Sequence, residues 1–100
     1  MIKHIVMWKL KETELTTKKM VMEKIKTELE ALNGQIEGLI RLEVGIDFLQ
    51  SESSYDIVLY SELENKEALD YYQSHPLHCA VANEYVKPAV SLRKAVDYEI

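Results

Sequence analysis

Residues 2–10 alternate, with Ile2, His4, Val6, Trp8 and Leu10 on one side and Lys3, Ile5, Met7 and Lys9 on the other. A period of two, rich in β-branched and aromatic residues, predicts a strand. From about Thr16 to Asn33 the period lengthens. Met22, Ile25, Leu29 and Leu32 recur at steps of three and four, while Lys18, Glu23, Lys26 and Glu30 take the wet side, which predicts an amphipathic helix. Asn33 and Gly34 supply its stop, since glycine enters the left-handed conformation at a helix end without a Cβ penalty. Gly38 opens a second strand, in which Ile40, Leu42, Val44 and Ile46 alternate with Leu39, Arg41, Glu43 and Gly45. The polar run Gln50 to Ser54 suits a hairpin loop. Alternation then resumes from Tyr55 to Leu63, with Tyr55, Ile57 and Leu59 opposite Asp56, Val58 and Tyr60.

Asn65 is placed to cap a short helix ending near Ser74, with Glu67 in its first turn, where a negative charge complements the helix dipole. Pro76 fits the first position of a third helix, because the donor it lacks has no partner there anyway. That helix runs to about Val86, Pro88 discourages its continuation, and residues 93 to 100 form a last strand. The order β-α-β-β-α-α-β contains the split βαβ repeat of a ferredoxin-like plait. It predicts an α+β fold: a four-stranded antiparallel sheet with helices on one face. Nothing interrupts the chain, and residues 1–100 read as a single domain.

The uncovered face of that sheet changes the picture. If His4 and Trp8 look toward the helices, then Ile5, Met7, Val58, Tyr60, Val96 and Tyr98 share the opposite surface. Leaving such groups wet forfeits roughly 1.5–3 kcal/mol each. No remaining element can cover them, so the expected partner is a second copy, joined through the open sheet face in a homodimer.

Composition narrows the partners further. The chain is 47% hydrophobic and 29% charged, in the ordinary globular range. Its formal charge of −5 disfavours a phosphate backbone, so no nucleic-acid role is expected. No apolar run approaches the ~18 residues of a membrane span, and no membrane partner is expected. The lone Cys79 argues for a reducing compartment, the cytoplasm, and reads as a small buried hydrophobe.

Chemistry concentrates in Tyr72-Gln73-Ser74-His75-Pro76-Leu77-His78, which holds two of the three histidines. If Pro76 begins a helix, His78 lies near the positive end of its dipole, where the imidazolium is disfavoured and a neutral base is favoured. His75 also suits a turn-capping role, His4 a hydrogen-bonded core position, and Tyr72 plain packing. The spacing His75–His78 lacks the zinc pattern HExxH and no second cysteine exists, so no metal is implied. Gly34, Gly38 and Gly45 are too dispersed to cradle phosphate, and no cofactor is implied.

These residues, taken together, resemble a known family. The opening Ile2-Lys3-His4-Ile5-Val6, the strand end Lys9-Leu10-Lys11, the His75-Pro76-Leu77-His78 motif behind Tyr72, and the terminal Asp97-Tyr98 look like the Dabb family of stress-responsive dimeric A/B barrel proteins. The resemblance covers essentially the whole chain. It implies a ferredoxin-like protomer whose sheet pairs with a second copy to form a dimeric α+β barrel. Most of the family has no established reaction, but a plant member is a polyketide cyclase with a histidine base between sheet and helices. Carried over, His78 is the base, Tyr72 stabilises an enolate oxygen, Asp97 orients His78, and His4 is a pocket wall. Trp8, Leu59 and His75 join His4 as candidate contacts to a small apolar or keto ligand. Three functions stay open: a non-catalytic dimeric domain or small-ligand carrier, a cyclase or isomerase acting on a keto compound, and a dimeric-barrel oxygenase.

Overall fold

The computed structural model describes residues 1–100. Its elements are β1 (Ile2–Leu10), α1 (Leu15–Glu30), β2 (Leu39–Ile46), β3 (Ile57–Leu63), α2 (Lys66–Ser74) and α3 (Pro76–Val81). A π-helical turn (Ala82–Val86) continues α3, and β4 (Val90–Glu99) completes the chain. The sheet is antiparallel throughout, in the order β2-β3-β1-β4. This is the ferredoxin-like α+β fold that the periodicities predict.

The core lies between the helices and one sheet face. Ile25 and Leu29 of α1 are buried against Val6, Val44, Leu59 and Leu63 of the sheet. The alternation in β1 is followed closely: Ile2, His4, Val6, Trp8 and Leu10 are all buried. In β2 the expected alternation breaks. Leu39 is buried and Ile40 is 51% exposed, because the pairing with β3 slips between Leu39 and Arg41. One extra residue in a strand reverses which side the following residues face. Leu42 and Val44 then point inward as expected. The last strand starts at Val90, earlier than its composition indicates, because Lys9 and Leu10 pair with Leu92 and Val90 across a bulge.

Along β2, the edge strand beside α1, the amide of Asn33 both donates to the Leu42 carbonyl and accepts from the Leu42 N–H, each at 2.8 Å. Glu30 accepts from the Val44 N–H at 3.0 Å, and Lys26 donates to the Val44 carbonyl at 2.6 Å. Side chains of α1 and the turn after it thus occupy the hydrogen bonds another strand would use, which blunts the edge against stray pairing. Asp56, nearly buried, ties the far end of β1 to α1. It accepts from the Leu10 N–H at 2.8 Å and pairs with Lys18 at 3.1 Å. Periodicity gave no warning of that clamp.

Gly38 is where the backbone requires a glycine. Its φ is +87°, and an added Cβ would lie 2.6 Å from Cβ of Ala68 in α2. Gly34 shares the positive φ (+78°) but faces open space. Gly38→Ala is therefore expected to cost about 2–5 kcal/mol, from left-handed strain plus overpacking, and Gly34→Ala only about 1–2 kcal/mol from strain alone. Urea midpoints of the two variants compare these directly. Equal losses would contradict the close packing of α2 on the loop before β2.

Candidate active site

Asn65 caps α2 as its sequence indicates, its side chain accepting from the Ala68 N–H at 2.8 Å. Residue His75 caps α3 in the same way: its Nδ1 accepts from the Leu77 N–H at 3.1 Å, and its ring packs edge-on against Tyr71. The sharp break between two helices, set by His75-Pro76, turns Tyr72 and His78 onto one another with ring centroids 4.4 Å apart. Across from them, β1 presents His4, whose ring meets Tyr72 edge-on at 6.2 Å.

Between the sheet and α3 lies a cavity of about 450 Å³. The sheet contributes His4, Val6, Trp8 and Leu59 to its walls, with Val90, Ser91, Leu92 and Arg93 at the start of β4. The helical side contributes Leu29, Gln73, His78, Ala82, Val86 and Lys87. Ala82 and Val86 bound the π-helical turn, and a break in regular helix at a cavity wall is a recurrent feature of functional sites. The volume is that of an ordinary small-molecule site.

Of the residues singled out by sequence, His78, His4, Trp8 and Leu59 meet at this cavity. Three others are placed differently. His75 is not a wall residue, because its ring is spent on capping α3. Asp97 does not orient His78. The β1–β4 register sets it directly opposite His4, and its carboxylate accepts from His4 Nδ1. Tyr72 is wholly buried, and its ring fills the space between the two histidines without reaching the cavity wall. With His75 turned away, the three histidines do not converge as a ligand set. Arg93, Lys87 and Gln73 were missed, since only the β1–β4 register and the turn after α3 bring them to the cavity.

The electrostatics of His78 follow from its surroundings. Burial holds its pKa below the usual 6.5; the Gln73 carbonyl pulls the other way, and the neighbouring Arg93 guanidinium adds to the lowering. That carbonyl lies 3.1 Å from Nδ1. A carbonyl oxygen only accepts, so Nδ1 carries the proton and Nε2 the free lone pair. His78 is thus a neutral imidazole fixed in one tautomer, with its basic nitrogen on the edge away from α2. In His4 the proton shared with Asp97 likewise sits on Nδ1.

The Tyr72 hydroxyl is buried with no hydrogen-bond partner, and burial pushes its phenol well up. An unsatisfied buried donor costs about 1–3 kcal/mol. Tyr72→Phe is therefore expected to raise stability by about 1 kcal/mol, a melting-temperature gain of several degrees for a domain of this size. A calorimetric scan checks this, and a lowered melting temperature would mean that the hydroxyl is paired in the fold.

The chain is similar to known proteins in sequence and fold. The Stress Responsive A/B Barrel Domain, Dabb, matches residues 2–100. A dimeric protein of unknown function with a ferredoxin-like fold from Bacteroides fragilis is 34% identical, with a TM-score of 0.90 over 99% of this chain and 95% of that one. A dimeric ferredoxin-like protein of unknown function from Thermobifida fusca is 25% identical, with a TM-score of 0.84 over 99% and 90%. The hydroxynitrile lyase from Passiflora edulis superposes with a TM-score of 0.80 over 99% of this chain and 92% of that one. At 16% identity it shares the fold alone. No curated protein matches the chain.

Proposed function

This chain belongs to the Dabb family, and on that premise we propose that it is a cytoplasmic homodimer that binds a small carbonyl compound between sheet and helices. In this reading His78 acts as general base on that compound. The observation that carries it is a neutral, tautomer-fixed His78 on the wall of a cavity whose buried end is apolar. A neutral base, its pKa held below 6.5 by burial, on the wall of a cavity suits removal of a proton next to a carbonyl. His78 Nε2 would take the proton from the α-carbon while electrons move onto the carbonyl oxygen, giving an enolate. The resulting imidazolium would return the proton to the same or another carbon, so that no external acid is consumed. Tyr72, buried between the two histidines and off the cavity wall, packs against the His78 ring and holds it in place.

The homodimer rests on the outer sheet face. Ile5, Met7, Val58, Tyr60 and Val96 form adjoining cross-strand rows there, and Val96 is 55%, Tyr98 42% and Met7 40% exposed. Around them Arg41, Glu43, Glu62 and Lys3 form a charged rim: Arg41 pairs with Glu43 and Glu62, and both cations stand over the Tyr60 ring. An apolar centre inside a polar rim is the anatomy of a protein interface. The similar structures from B. fragilis and T. fusca are described as dimeric.

Solvent deuterium uptake tests the catalytic reading. A set of aryl and alkyl α-keto acids and β-diketones, followed by proton NMR in D2O, is expected to include compounds whose α-protons exchange faster with the protein than with buffer. Uptake at the buffer rate for every compound would leave the ligand-carrier reading in its place.

A further inference from the structure

The cavity differs in charge from the chain that forms it. The protein carries 17 acidic and 12 basic residues, yet no carboxylate lines this cavity, and two permanent cations, Arg93 and Lys87, do. Neither takes part in an ion pair, whereas Lys18, Lys24, Lys26 and Arg41 all do. The nearest acid on the same face of β4, Asp97, is bonded to His4. Arg93 stands directly across from Trp8 in the β1–β4 register, so its guanidinium shares a wall with the largest apolar side chain of the cavity. Both cations are solvent-exposed, which places them at the open end, while Val6, Leu29 and Leu59 are buried at the other.

We infer that the ligand of this cavity is a small carboxylate with an apolar body, its carboxylate held by Arg93 and Lys87 and its body lying against Trp8, Val6 and Leu59. The inference rests on the cavity being the ligand site, and adds the class of molecule it takes. A guanidinium meets a carboxylate through two parallel hydrogen bonds, which a neutral amide cannot reproduce. An acid and its primary amide share one apolar body, so their comparison isolates the charge. A carboxylate at the open end also leaves the carbons beyond it lying along the wall that carries His78.

Calorimetric titration of the wild-type protein with phenylacetate, 3-phenylpropanoate and octanoate, each beside its primary amide, tests this. Trp8, the only tryptophan, reports occupancy of the cavity through its emission. At least one acid is expected to bind about tenfold or more tightly than its amide, with the preference shrinking as salt is raised. Arg93→Gln, on an exposed strand position, is expected to keep the far-UV spectrum and the amide affinity while reducing the acid preference to twofold or less. Lys87→Gln is expected to remove a smaller share. Equal binding of acid and amide, or a preference that survives Arg93→Gln, overturns the carboxylate assignment and leaves the cavity as a ligand site. Binding by none of the six compounds overturns both.

Discussion

Val96→Asp is expected to yield a folded single subunit where the wild type sediments as a pair. Val96 lies on the outer sheet face, on the edge strand β4 and opposite Ile5 of the central strand β1, and is 55% exposed in the isolated protomer. An aspartate there is solvated in a lone subunit, so the fold loses little. In a two-fold dimer the same substitution buries two carboxylates in the patch, each with Lys94 two residues away on the same face of its own strand. An uncompensated buried charge costs about 3–5 kcal/mol; with Lys94 offsetting part of it, the dissociation constant should rise by a factor of about 10 to several hundred. Sedimentation velocity at micromolar concentration reads the change, and far-UV circular dichroism confirms the fold. A wild type that sediments as one subunit, or a variant that stays paired, would place the interface elsewhere or deny it.

His78 carries the second large effect. For any compound whose α-protons the protein exchanges, His78→Ala is expected to lower the exchange rate by about 10²–10⁴. Truncation also removes a ring that packs on Tyr72, so His78→Asn is the sharper variant. Its side-chain N–H can still donate to the Gln73 carbonyl, but it offers no basic nitrogen. Both variants should lose exchange to a similar degree, with the asparagine protein closer to wild type in stability. Full activity in His78→Asn would move the base to another residue.

The pH profile has a defined sign. The neutral imidazole is the active form, and its pKa in the folded protein lies below 6.5. Exchange should therefore rise with pH through that depressed value and level off before neutrality. Below pH 6.5 the unfolded chain binds the His78 proton more readily than the folded one, so stability falls as acid is added through the same window.

The elements were legible in sequence because periodicity answers to local sterics and burial. Strand β1 shows its buried side in every second residue, and Asn65 and Pro76 mark helix starts for reasons internal to a few residues. The apolar outer face was legible too, since Ile5, Val58 and Val96 sit on the side of their strands opposite the core residues. What escaped depends on register and on contacts distant in sequence. Ile40 is polar-facing only because β2 and β3 slip by a residue, and nothing in Leu39-Ile40-Arg41 announces a bulge. His4 takes Asp97 from His78 because the chain's two ends pair in one register, 93 residues apart. For His75 and Tyr72 the capping and packing roles that their residue types also allow prevail over the site roles, because the turn at His75-Pro76 sets one ring on the Leu77 N–H and buries the other. The π-helical turn after α3 has no short signature, yet it sets part of the cavity wall.

One measurement bears on the central claim without needing a substrate: long-range ¹⁵N–¹H correlation of the histidine side chains at neutral pH. A neutral His78 with its proton on Nδ1 and a bare Nε2 is the expected result. An imidazolium, or a neutral ring protonated at Nε2, would contradict the account, because the cavity would then face a nitrogen unable to accept a proton.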